Sequence, residues 1–151
     1  MRYELKPITK SNWKAVVSLE VAPNQQNLII PNAHSLVEAT YDSEKKWTPL
    51  ALYVDNKLVG FAMIGGENIA ESSITFDRFM IDQHFQHQGY GHALFRAILN
   101  YFKDHYRKVE TIYIPVHKDN LQAIPFYESF HFEQVKDGED TVKMKGTITR
   151  E

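Results

Sequence analysis

The chain has 151 residues, a length at which one hydrophobic core forms and a second is uncommon, so a single domain over residues 1–151 is expected. A hydrophobic content of 43% with 13% aromatics excludes a disordered polymer, and 17 Lys plus Arg against 19 Asp plus Glu, a formal charge of -2, leaves no basic footprint for nucleic acid. No run approaches the roughly 20 apolar residues of a membrane helix, the opening MRYELKPITK lacks an apolar secretion segment, and without cysteine no disulfide, thiolate nucleophile or Cys-based zinc site can form. A soluble, cytosolic protein is expected.

In chain order, Tyr3 to Pro7 reads as a short strand, and Ser11 as the N-cap of a first helix with Trp13, Val16, Val17 and Leu19 at helical spacing. A polar loop bounded by Pro23 and Pro31 leads to a second helix containing Leu36, Val37, Thr40 and Tyr41, which closes near Asp42. From Pro49 the pattern changes to strands. Ala51 to Val54 and Lys57 to Ile64 flank Asp55-Asn56, a pair suited to a tight hairpin turn, and a third run after Gly65-Gly66 covers Ser73 to Ile81. Leu94, Ala97, Ile98, Tyr101 and Phe102 then recur at three- and four-residue intervals, which predicts a helix after Gly89 and Gly91. A strand over Val109 to Val116 follows, then a helix from Asn120 with Ile124, Tyr127 and Phe130 inward. Two strands, around Phe132 to Val135 and Thr141 to Ile148, flank an Asp137-Gly138 turn. This order predicts an α/β fold, a mixed sheet with one parallel crossover.

The segment richest in chemistry is the run from Phe79 to Leu94, in which a strand passes through a glycine-containing turn directly into a helix. Such a junction leaves backbone N–H groups unpaired at the positive end of a helix dipole, and glycine lets the main chain approach a pyrophosphate closely. A dinucleotide fingerprint is excluded because Leu94 stands where its third glycine belongs, and a P-loop because no Gly-Lys-Ser/Thr follows. His84, His87 and His92 lack metal-ligand spacing, so no metal is expected.

What remains, Gln86-x-x-Gly89-x-Gly91, resembles the Q/R-x-x-G-x-G/A signature of the GNAT superfamily of N-acetyltransferases. The downstream run Asn120-Leu121-Gln122-Ala123-Ile124-Pro125-Phe126-Tyr127-Glu128 resembles that family's second signature. The resemblance implies the GNAT fold, a mixed, mostly antiparallel sheet of about six to seven strands flanked by about four helices. Its activity would be direct acetyl transfer from acetyl-CoA to an amine, with coenzyme A held by Phe79, Met80 and Ile81, by the turn Gln86, His87, Gln88, Gly89, Tyr90, Gly91 and His92, and by Asn120, Ala123 and Phe126. A main-chain N–H near Met80 or Ile81 would polarise the acetyl carbonyl.

Tyr127 matches the family tyrosine near the sulfur and is the candidate general acid, while Asp77 matches a strand carboxylate and is the candidate base or amine-orienting group. Two departures stand out: His131 replaces a glycine expected at a left-handed helix end, and the phosphate turn lacks Arg or Lys. The stretches Phe76 to Asp82 and Ser35 to Ala39 are similar to bacterial diamine, spermine and spermidine acetyltransferases, which implies a small-molecule amine substrate held by Glu38, Asp77, Glu20 and Tyr41. Alternatives are another small amine, a protein N-terminus, or a non-catalytic acetyl-CoA sensor. Homodimers are common in the family, and no residue pattern here marks an interface.

Overall fold

A computed structural model of the protein describes residues 1–150. The chain runs β1 (Tyr3–Pro7), α1 (Trp13–Ser18), a 3-10 turn (Pro23–Leu28), α2 (Asn32–Tyr41), β2 (Thr48–Val54), β3 (Lys57–Asn68) and β4 (Ser73–Ile81). A short 3-10 turn (Gln83–Phe85) then precedes α3 (Tyr90–His105), β5 (Thr111–His117), α4 (Ala123–Glu128), β6 (Glu133–Asp137) and β7 (Thr141–Thr147). The seven strands form one sheet in the order β1-β2-β3-β4-β5-β7-β6, antiparallel except where β4 meets β5. This is the expected GNAT-type α/β architecture. Among the described residues no helix is long and apolar enough to cross a membrane.

Two apolar layers sandwich the sheet. One buries Phe76, Ile112, Ile114 and Met144 of the strands against Leu94, Phe95, Ile98 and Phe102 of α3 and Tyr127 of α4. The other buries Ala51, Phe61, Met63 and Met80 against Val16 of α1 and Val21. Period-two alternation in β4 therefore sends neighbouring side chains to opposite layers, with Phe79 on the α3 side and Met80 on the α1 side. β3 is buried on both faces from Val59 to Gly65, which explains its nearly continuous apolar run.

Local signals behave as their chemistry requires, with two corrections. Asp55 and Asn56 take positive φ of 49° and 68°, the pattern of a type I′ hairpin. Ser11 does not cap α1; Asn12 occupies that position and its Oδ1 accepts from the Thr9 N–H at 2.7 Å, a local bond that competes with capping. β3 does not stop at Ile64 but continues through Gly65 and Gly66 to Asn68, because strand pairing with β4 persists through a bulge.

Candidate active site

β4 is bonded to β3 along one edge, but it pairs with β5 only through Ser73, Ile74 and Thr75. Beyond Thr75 the two parallel strands part, and the β4 edge is left without a strand partner. Asp82 donates its N–H to the Val59 carbonyl on the β3 side at 2.8 Å, so alternation turns the N–H groups of Ile81 and Phe79 to the open side. The Met80 N–H points back to β3, so it is not available on the open edge as the sequence suggested; Met80 contributes its side chain instead. Gln86 donates from Nε2 to the exposed Ile81 carbonyl at 2.8 Å and to Gln25 Oε1 at 3.0 Å. Its side chain thereby ties the turn to β4 and to the first 3-10 segment.

The turn itself is built from positive φ angles at His87 (63°) and Gly89 (82°). Gly89 is the N-cap of α3 and supplies no side chain, so the first-turn N–H groups have no side-chain cap. Nothing lies within 4 Å of where a Gly89 Cβ would sit, so the backbone faces open space and glycine is required for φ alone. These groups line a cleft of about 300 Å³ together with Phe79, Met80, Ile81, Gln86, His92, Asn120, Ala123 and Phe126. Gln88 and Tyr90 are not in its lining; Gln88 is exposed, and Tyr90 packs edge-on against Tyr3 with centroids 6.5 Å apart. No Lys or Arg lines this cleft; His87 and His92 line it beside the first turn of α3, at the positive end of the helix dipole.

Across the splay, Asn120 Oδ1 accepts the Ala123 N–H at 3.2 Å and shapes the entry to α4. Tyr127, one turn on, is 6% exposed, and burial pushes its phenol well above the ordinary tyrosine value. A second cleft of about 230 Å³ shares Ile29, Phe79, Asn120, Ala123 and Tyr127 with the first and adds Asp77. Asp77 reaches it because the β3–β4 register shifts between Met63 and Ile64, leaving Asp77 as the extra residue of a bulge. Burial raises the Asp77 pKa, with Glu38 adding to the rise and Arg78 and Lys45 opposing it.

Of the four residues singled out for an amine, Glu38 and Asp77 meet at Arg78, while Glu20 and Tyr41 lie apart from them. Glu38 is bonded to Arg78 (Nη2 to Oε1, 2.9 Å), and Arg78 also stands 3.9 Å from Asp77 Oδ2. Glu20 lines a separate cleft of about 210 Å³ with Leu19, Ile29, Asn32 and Met80. Tyr41 is 82% exposed on α2 and lines a groove with Trp13 and Trp47. Glu38 and Tyr41 are one turn apart on α2, but Glu38 reaches Arg78 of β4 whereas Tyr41, the last residue of the helix, stays in solvent.

Val21, Gln25, Ile29, Phe85 and Gln122 also line the main cleft, and sequence pattern did not single them out. The polar stretch between Pro23 and Pro31 carried no signal for this role, because its contact with the turn spans some sixty residues of chain, as in the Gln25–Gln86 bond. Among the described residues no group of three His, Cys, Asp or Glu side chains could hold a metal ion.

Comparison with known proteins agrees with this fold. The acetyltransferase (GNAT) family model matches residues 13–132. The spermine/spermidine N(1)-acetyltransferase of Bacillus subtilis is 31% identical over 138 residues, 88% of this chain and 89% of the relative. Among solved structures, spermidine N-acetyltransferase from Vibrio cholerae in complex with CoA and spermine has a TM-score of 0.76 at 17% identity, over 97% of this chain and 95% of the other. The ribosomal-protein-S18-alanine N-acetyltransferase of Escherichia coli has a TM-score of 0.72 at 19% identity, over 99% and 96%. Fold alone therefore accommodates quite different acceptors.

Proposed function

The chain belongs to the acetyltransferase (GNAT) family and is an N-acetyltransferase, and we propose that it moves the acetyl group of acetyl-CoA directly to a primary amine of a polyamine such as spermine or spermidine. One domain would carry the whole reaction, and a chain without cysteine suits the reducing cytoplasm. The observation that carries the reading is the meeting of two clefts at Asn120, Ala123 and Tyr127, with the glycine turn on one side and Asp77 on the other.

Acetyl transfer to nitrogen needs a neutral amine, a polarised carbonyl and a proton for the departing sulfur. Bound along the open edge of β4, acetyl-CoA supplies the thioester. The first-turn N–H groups of α3 around Gly89 and Gly91 hold its diphosphate, helped by the helix dipole. Phe79 and Ile81 turn their N–H groups to the same edge, where they bond the pantetheine arm and donate to the acetyl oxygen. Asp77 accepts a proton from the incoming ammonium, and its raised pKa improves it as a base. Tyr127 gives its phenolic proton to the sulfur; burial keeps the phenol protonated through neutral pH, as a proton donor must be.

The identity with the Bacillus subtilis relative supports a polyamine as acceptor, and Glu20, whose cleft shares Ile29 and Met80 with the main one, would receive a second ammonium of a long cation. Spermidine, spermine and a panel of monoamines in a thiol-release assay with acetyl-CoA provide the test. Thiol release that depends on polyamine is the expected result, and release no faster than without amine overturns the assignment.

A further inference from the structure

Arg78 is 7% exposed on β4, with a charge that cannot be lost by deprotonation. It is incompletely satisfied: Nη1 donates to Ser35 Oγ at 3.3 Å and Nη2 to Glu38 at 2.9 Å, both on α2, while buried Nε has no partner. The indole of Trp47 lies 5.8 Å from the guanidinium carbon. Two carboxylates therefore compete for one buried cation. Glu38 has the hydrogen bond, and Asp77, beside Arg78 in sequence and displaced by the bulge, is left at 3.9 Å with an edge toward the cleft.

We infer that Glu38 is a positioning residue: by holding the Arg78 guanidinium against α2, it keeps Asp77 from being captured and leaves that carboxylate available to the acceptor amine. The inference rests on the reading of Asp77 as the group that receives the proton, and it gives Glu38 a role different from contact with substrate. Capture by Arg78 would stabilise the carboxylate form of Asp77 and weaken it as a base. The negative charge of Glu38 acts in the same direction, since it disfavours a second negative charge nearby. The other titratable or charged groups around Asp77 are Lys45 after α2, His117 of β5 and Tyr127 of α4. His34 of α2 stands 3.7 Å from Glu38 and, when protonated, competes with Arg78 for it.

The test is Glu38→Gln, with Glu38→Asp as the variant that retains the charge, measured in two ways. Direct titration of the Asp77 carboxyl carbon by NMR, which needs no turnover, should show a lower pKa in Glu38→Gln than in the parent and an intermediate one in Glu38→Asp. With spermidine as acceptor, the acid limb of kcat/KM should lie at lower pH in Glu38→Gln than in the parent, with Glu38→Asp between them, and kcat should fall in the variants with little change in KM. An unchanged or raised Asp77 pKa in Glu38→Gln overturns the inference, as does a rise in KM for amine with kcat intact, which would make Glu38 a substrate ligand. If the titration behaves as stated but the parent releases no thiol with any amine, the proposed function fails while the Glu38–Arg78–Asp77 coupling stands.

Discussion

Asp77 and Tyr127 line the same cleft of about 230 Å³ from different elements, the bulge of β4 and the C-terminal end of α4. Burial raises the pKa of both. The Asp77 carboxylate is a stronger proton acceptor for it, and the Tyr127 phenol, protonated at neutral pH, is a weaker acid for it.

Tyr127→Phe removes the donor and keeps the ring that packs on Phe95 and Phe126. The expected result is a fall in kcat of about 10²–10⁴-fold, the usual worth of general acid catalysis, with calorimetric coenzyme A affinity unchanged. A variant as fast as the parent would show that the sulfur takes its proton elsewhere.

Asp77→Asn separates rate from stability. Because the folded state holds this carboxyl above its unfolded value, its contribution favours folding fully below about pH 4 and is lost as pH rises through the raised value. At neutral pH the charge therefore opposes folding. Urea denaturation at pH 7 should show the Asn variant equal to or more stable than the parent, while kcat/KM falls and its acid limb disappears. A variant that is both unstable and active would contradict both assignments.

Asp82 has the opposite sign. Burial disfavours its charge, but the N–H groups of Glu20 (3.0 Å) and His84 (2.9 Å) and the His84 ring (2.8 Å) outweigh burial and hold its pKa below the ordinary value. Its contribution is present above about pH 4 and lost as pH falls through the depressed value. Asp82→Ala should cost about 1–3 kcal/mol in urea at pH 7, because two backbone donors lose their acceptor, and the gap from the parent should narrow at pH 3.

His131 occupies a left-handed position with φ of 70°, where Phe132 N–H bonds the Tyr127 carbonyl at 3.2 Å and His131 N–H bonds that of Glu128 at 2.9 Å. That pair of bonds is a Schellman motif, so the helix end has the shape glycine would give and the histidine carries the backbone strain. His131→Gly should stabilise the protein by about 0.5–1 kcal/mol, part of the left-handed penalty being offset by the greater freedom of glycine in the unfolded chain. A thermal melt should rise by roughly 1–4 °C. A lower melting temperature would mean that the imidazole makes a contact worth more than the strain.

The order of elements, the sheet character and the strand-turn-helix at residues 79–94 were legible in the sequence because each depends on near neighbours: alternation in β4, periodicity in α3, and glycine at a positive φ. The placement of Phe79, Ile81 and the α3 first turn around one cleft follows from that local pattern. Which of the acids could act together was not legible. The sequence named Asp77 as the base and grouped Glu38, Glu20 and Tyr41 with it around an amine, and only the docking of α2 on β4 joined Glu38 to Arg78 while leaving Tyr41 in solvent.

By itself the sequence determined the fold class and the strand-turn-helix, which are written in short-range periodicity and turn chemistry, and its two motifs identified the family by resemblance. The tertiary structure alone decided the open edge of β4, the bulge that turns Asp77 into a cleft, and the partner chosen by a buried guanidinium. Those depend on strand register and on contacts some forty to sixty residues apart, where geometry to a fraction of an ångström determines which charges pair.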